Sequence, residues 1–408
     1  MNHPSGMPRR DFMKGAMLGG AGLGLAGAAT AAVPNGVQYA EAGAADAAGK
    51  VPRRQLGKSG MTVPILLMGG SQKFDPKYDK MLHRAYHMGV DYIDTAQVYA
   101  GGQSHKTIAP FLQQVGRKNV WITSKASLKG SKATPENYKV HMQQCLDELE
   151  TDYLDMFFMH MIDDLGQLEP DFIKMGDDIK KSGKAKLFGF SCHDGNVAKL
   201  IDKAADVGGI DAIMFRYNFR QYGDLELNNA MDKAHKAGIG LIAMKTQSSV
   251  PDELEKVVDF QSKNFNLPQA KLKSVWADER LAASVSGITN LQILQDNASA
   301  AMSPEKLTMN EFHQLNKLAR MTRSYACLGC KQHCESKVAG ELKIADALRY
   351  LMYHECYGDP ETARLLYNAL SPAERDFEGL DLSEATRACP QDIQISERLA
   401  AAKRALMA

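Results

Sequence analysis

Between about residues 53 and 300, short apolar runs alternate with longer stretches in which apolar residues recur every three or four positions. The runs fall at 65–69, 91–94, 120–125, 154–160, 186–191, 212–218, 240–245 and 283–287. Continuous apolar runs bounded by glycine predict parallel strands buried on both faces. The intervening stretches have helical period. That at 138–149 carries a start signal, with Thr134 as cap and Pro135 at the first helical position. Eight strand–helix units predict a closed (β/α)8 TIM barrel over 51–305, a span typical of that architecture. The rival, an open doubly wound sheet, lacks its signal, because no G-x-G-x-x-G follows the first run. Farther on, apolar positions at helical spacing in 346–353 and 360–369 predict a small, mostly helical domain over 306–408.

Such a barrel presents its chemistry at the C-terminal ends of its strands. There stand Asp94 after the second run, Tyr99 in the loop beyond it, Lys125 after the third and His160 after the fourth. Singly, each reads as well as a loop contact or a satisfied polar group. Together they make a proton-transfer set. A phenol of pKa about 10 delivers a proton to a carbonyl oxygen only if that pKa is lowered or the proton is relayed. A buried lysine beside it favours phenolate, and a carboxylate such as Asp94 holds the lysine's charge. A histidine opposite can orient the carbonyl or assist the relay.

These residues stand in segments that resemble the aldo-keto reductase family. Asp94-Thr95-Ala96-Gln97-Val98-Tyr99 is similar to the family's D-T-A-x-x-Y, and Trp121-Ile122-Thr123-Ser124-Lys125 to its strand-three lysine segment. The segment from Leu154 to His160 resembles its strand-four histidine segment, and that from Gly183 to Ser191 its G-K-x-R-x-x-G-x-S. Tyr217-Asn218, Gly287 and Asn297 extend the likeness in order. The resemblance implies hydride transfer from NAD(P)H to a small aldehyde or ketone, with Asp94, Tyr99, Lys125 and His160 as the catalytic tetrad. It also implies a nucleotide held by Ser191, His193, Asn218, Lys245 and Asn297. The places where the family's NADPH-dependent members hold the 2′-phosphate with cations are Thr289, Asn290 and Ile293 here. A dianionic phosphate without a cation loses its charge-assisted hydrogen bonds, so NADH is expected to serve at least as well as NADPH. The Gly-rich loop usual after strand seven is replaced by Met244-Lys245-Thr246-Gln247-Ser248-Ser249, and Met214 takes the place of a glutamine that touches the carboxamide.

Four of the seven cysteines stand in two motifs of the tail, as Cys327-x2-Cys330-x3-Cys334 and Cys389-Pro390. Neighbouring cysteines cannot all face one core, which leaves a metal site, a disulfide or a cluster. His333 adjoins Cys334 too closely for both to bind one zinc ion without strain. The closing Cys-Pro followed by Gln391-Asp392-Ile393 resembles ferredoxin-type motifs, and some aldo-keto reductases carry two such motifs with eight cysteines. In two-cluster ferredoxins the fourth cysteine of each run serves the other run's cluster. The cysteines kept here are one cluster's complete set, implying a single [4Fe–4S] centre on Cys327, Cys330, Cys334 and Cys389. Cys145, Cys192 and Cys356 read as packed thiols.

Residues 1–50 stand apart. Arg9-Arg10-Asp11-Phe12-Met13-Lys14 precedes an uncharged Ala/Gly/Leu stretch, a pattern that resembles a twin-arginine export signal. About 18 residues rich in Gly and Ala make a poor membrane span, so none is expected. The expected location is periplasmic or otherwise exported. With 49 Lys and Arg against 48 Asp and Glu, a net charge of +1 gives no electrostatic footprint for nucleic acid. The leading expectation is an exported aldo-keto-reductase-like enzyme whose cluster serves structure or an electron-transfer partner. The alternative is a non-catalytic redox or binding protein that uses the barrel as scaffold; the intact tetrad favours the enzyme, and the altered nucleotide loops favour the scaffold.

Overall fold

All eight apolar runs form strands, and in the computed structural model, which describes residues 49–247 and 249–407, they close into a parallel barrel. The strands are β1 (Leu66–Gly69), β2 (Tyr92–Asp94), β3 (Trp121–Ala126), β4 (Leu154–Met159), β5 (Ala185–Cys192), β6 (Ala212–Arg216), β7 (Gly240–Met244) and β8 (Leu281–Ser286). Each pairs with its sequence neighbours, and β8 closes on β1 with Ser284 opposite Leu66. The twin-arginine segment lies outside the described residues. Among those residues no helix is long and apolar enough to cross a membrane.

Several runs end sooner than their apolar character predicts, and the reason is the same each time. At 154–160 the strand stops at Met159, and Met161 turns into the left-handed region at φ 56°. At 240–245 it stops at Met244, with Lys245 at φ 58°. At 212–218 it stops at Arg216, and Asn218 caps a single helical turn, Phe219–Gln221. The turns begin where the chain must leave the sheet, so chemistry-bearing side chains sit just past the strand ends. The last run was placed late: β8 starts at Leu281, not at 283.

A hairpin the apolar pattern does not show, Arg53–Gln55 with Thr62–Pro64, packs at the opposite end of the barrel. Leu56 and Val63 join the interior layer of Leu67, Tyr92, Met156, Phe158, Met214 and Ile242. Arg54 donates to the carbonyls of Trp276 and Leu281 at 2.7 and 3.0 Å. The helix predicted at 138–149 forms as Pro135–Glu148, with the Thr134 hydroxyl accepting from the Asn137 N–H.

The last strand is followed by α1 (Leu291–Met302), and farther on the tail folds around α2 (Ile344–Cys356), α3 (Pro360–Asn368), α4 (Ser383–Ala388) and α5 (Ile395–Leu406). Their apolar faces bury Leu348, Leu351, Tyr367, Ile395, Leu399 and Leu406 in a core of their own. Polar contacts dock this layer on the C-terminal mouth of the barrel. Lys331 reaches Asp163 and Asp194 at 3.0 and 2.8 Å, and the Gly195 N–H donates to the Gly329 carbonyl at 2.8 Å. Arg220 donates to the Thr322 hydroxyl at 2.8 Å.

Candidate active site

The tetrad forms from three adjacent strand ends. Asp94 pairs in register with Thr123, so Lys125, two residues farther along the same face, projects past the end of β2. Its ammonium donates to Asp94 Oδ2 at 2.8 Å, to the Thr95 carbonyl at 2.8 Å and to the Tyr99 hydroxyl at 3.3 Å. Those three acceptors use all three of its protons. Tyr99 is brought over Lys125 by a tight turn, Tyr99–Gly102, in which Ala100 adopts the left-handed conformation at φ 52°. His160, just past β4, meets the Tyr99 ring edge-on with centroids 5.6 Å apart, and its Nδ1 lies 2.8 Å from the Ser127 hydroxyl.

Burial dominates the electrostatics. It raises the Asp94 carboxyl and lowers the Lys125 ammonium from their ordinary values, and each partner's charge opposes the other's shift. Burial, reinforced by the Asp94 charge, holds the Tyr99 phenol well above its ordinary range. Burial and the Asp94 charge act on the phenol in the direction opposite to the pull of the Lys125 ammonium 3.3 Å away, and they favour the protonated form at rest. Burial, then the charges of Lys125 and Arg349, drive His160 far below its ordinary value, which makes it a neutral imidazole at neutral pH.

The residues assigned to the nucleotide by resemblance spread along the rest of the mouth, from β5 round to α1. The Ser191 hydroxyl accepts from the Met161 N–H at 3.1 Å. Asn218 donates from its side chain to the Lys245 carbonyl at 2.8 Å. Asn297, on α1, binds the Ser286 hydroxyl at 3.0 Å and the Gln247 side chain at 2.9 Å. The Lys245 ammonium stands 4.2 Å from the centre of the Tyr353 ring. Next to it the Thr246 hydroxyl is buried with no hydrogen-bond partner among the described residues. Sequence reading missed the part the tail plays here: Arg349 and Tyr353 of α2 face the mouth, and Tyr353 lies close enough to Tyr99 to raise its pKa further.

Cys327, Cys330, Cys334 and Cys389 line one small pocket, closed by Ile344, Leu348 and Ile393. Gly329, at φ 80°, makes the turn between the first two, and its N–H points to the Cys327 sulfur at 3.4 Å. Burial and the neighbouring thiols push Cys330 and Cys334 up to about 12. Among the described residues no group of three His, Cys, Asp or Glu side chains is arranged to hold a metal ion. Cys145 and Cys192 are buried as packed thiols, and Cys356 is half-buried.

The sequence profile described as the aldo/keto reductase family matches residues 67–320. The chain belongs to that family, and it is an oxidoreductase. L-galactose dehydrogenase of Arabidopsis thaliana is 22% identical over 295 residues, spanning 64% of this chain and 92% of that protein. Aldo-keto reductase str7 of Strobilurus tenacellus is 24% identical over 289 residues, spanning 61% and 83%. Among solved structures, the holo form of aldo-keto reductase AKR11C1 from Bacillus halodurans superposes with a TM-score of 0.55 at 19% identity, covering 66% of this chain and 96% of that one. An aldo-keto reductase from Klebsiella pneumoniae in complex with NADPH superposes with a TM-score of 0.51 at 17% identity, covering 66% and 95%. At these identities the structures show the barrel fold. The aldo/keto reductase match ends before Cys327, so the cysteine-bearing tail lies outside it.

Proposed function

We propose that this protein is an exported oxidoreductase that reduces a small aldehyde or ketone with a nicotinamide hydride donor and carries one [4Fe–4S] cluster in its tail. One observation carries the catalytic part: a single buried ammonium, that of Lys125, ties Asp94 to the hydroxyl of Tyr99. A carbonyl oxygen placed against that hydroxyl receives its proton as negative charge develops there. Lys125 then stabilises the tyrosinate left behind, which offsets the high resting pKa of the phenol. Neutral His160 supplies a ring nitrogen, the one not engaged by Ser127, to orient the same oxygen.

A reduced nicotinamide, when bound, supplies a hydride to the carbonyl carbon. The buried, unpartnered Thr246 hydroxyl fits a polar ligand at this part of the mouth, and Ser191, Asn218, Lys245 and Asn297 are the residues that would hold the nucleotide. With no cation at Thr289, Asn290 or Ile293, a nucleotide lacking the 2′-phosphate suits the site best. Replacing Tyr99 with Phe should cut carbonyl reduction by roughly 10²–10⁴-fold while nucleotide affinity changes little. Wild-type turnover in that variant would overturn the tetrad assignment.

The cluster reading is supported by four thiols lining one cavity with apolar walls. A single zinc ion needs its sulfur ligands within about 2.3 Å of one point, whereas a cubane spreads its four thiolates around a larger body. The export reading rests on Arg9 and Arg10. Replacing both with Lys should leave the protein in the cytoplasm with its leader uncleaved, which fractionation and mass measurement check.

A further inference from the structure

Beside the tetrad lies a second, narrower pocket, with the barrel on one side and the tail on the other. The barrel contributes His193, just past β5, and Arg216, the last residue of β6; the tail contributes Arg349 of α2. His193 Nδ1 and Arg349 Nε are buried without a hydrogen-bond partner among the described residues, and each residue is only 9% exposed. Arg349 has a carboxylate partner in Asp346 at 2.6 Å. Arg216 donates to the Cys327 carbonyl at 2.5 Å and, among the described residues, pairs with no carboxylate. The two acids that face the cavity are already engaged, Asp346 by Arg349 and Asp194 by Lys331 at 2.8 Å.

The neighbouring charges of Arg216 and Arg349, after burial, disfavour the ammonium of Lys245, which also lacks a carboxylate among the described residues. A buried guanidinium that meets no carboxylate is costly, and the cost falls when an anion enters. The cavity also lies within reach of the chemistry, because the His193 and His160 rings are 6.3 Å apart.

We infer that this cavity binds the anionic end of the carbonyl substrate, a carboxylate or a phosphate, clamped between Arg216 of the barrel and Arg349 of the tail. The carbonyl then sits at Tyr99 and the anionic group lies several bonds away, past His160. Substrates are aldehydes or ketones of that design. His193, which the resemblance sets against the nucleotide, serves the substrate instead. This inference rests on the carbonyl-reducing reading above.

Binding without turnover separates the two. The probes for calorimetry on the cluster-loaded protein are glutarate, its neutral diamide and inorganic phosphate. Either anion should bind while the diamide does not, and Tyr99→Phe should bind it as the wild type does even if no carbonyl substrate is ever turned over. Glutarate without phosphate points to a carboxylate, phosphate without glutarate to a phosphoester. Arg349→Gln should weaken the anion by about 10–100-fold, as loss of a charge-assisted hydrogen bond does, and Arg349→Lys should restore part of it. Equal binding of diamide and anion would overturn the inference without any variant, as would binding of neither anion. So would an Arg349→Gln variant that weakens ADP-ribose as much as it weakens glutarate, since the anion would then be the nucleotide's.

Discussion

The tetrad and the cysteine pocket are both buried, yet they solve burial in opposite ways. Around Lys125 the cation is met within the protein: the ammonium has three acceptors, and Asp94 supplies its counter-charge. Around Cys327, Cys330, Cys334 and Cys389 the walls are apolar, and burial disfavours the thiolates of the first three. The first site meets its cation with groups of its own chain. The second, on the reading proposed above, takes a cationic centre from outside that makes thiolates the stable form.

The sharpest test of that contrast removes one ligand. Cys389→Ser should take iron from about four atoms per chain to none, abolish the brown chromophore and expose residues 335–388 to protease. Cys356→Ser should keep all three properties, and Tyr99→Phe should keep the iron while losing turnover. A milder break lies at the seam between the regions. A Cβ on Gly195 would lie 2.4 Å from the Cys330 Cα, so backbone would have to move. Gly195→Ala should destabilise docking of the tail by about 1–3 kcal/mol, read as lost protection of the tail in hydrogen exchange while the barrel stays protected. The smallest effect belongs to His160. Its folded pKa lies far below the ordinary 6.5, so as pH falls below 6.5 the unfolded chain takes up a proton that the folded chain refuses. Stability should fall with falling pH by up to about 1.4 kcal/mol per unit, down to the folded pKa, and His160→Gln should flatten the denaturation profile by that slope.

The barrel was legible because its signals are local. Apolar runs bounded by glycine, and Thr134-Pro135 at a helix start, report the elements without knowledge of their partners. The tetrad was legible for a related reason, since a residue just past a barrel strand has only one place to go. The Arg53–Gln55 and Thr62–Pro64 hairpin was missed, because three-residue strands carry too little pattern to register. The direction of the Tyr99 shift was missed because it depends on what covers the ring, and Tyr353 comes from far along the chain. Arg216 was hidden inside an apolar run and Arg349 inside a helix. Neither has a sequence neighbour that signals its role, which appears only where tail meets barrel.

Residues 335–388 hang between Cys334 and Cys389, and they include α2, which carries Arg349 and Tyr353 over the mouth. On the cluster reading proposed above, a centre held by those two sulfurs would fasten both ends of a roof. Loading the pocket and finishing the entrance would then be a single event in the life of the chain, and selectivity at the entrance would report how completely that event had run.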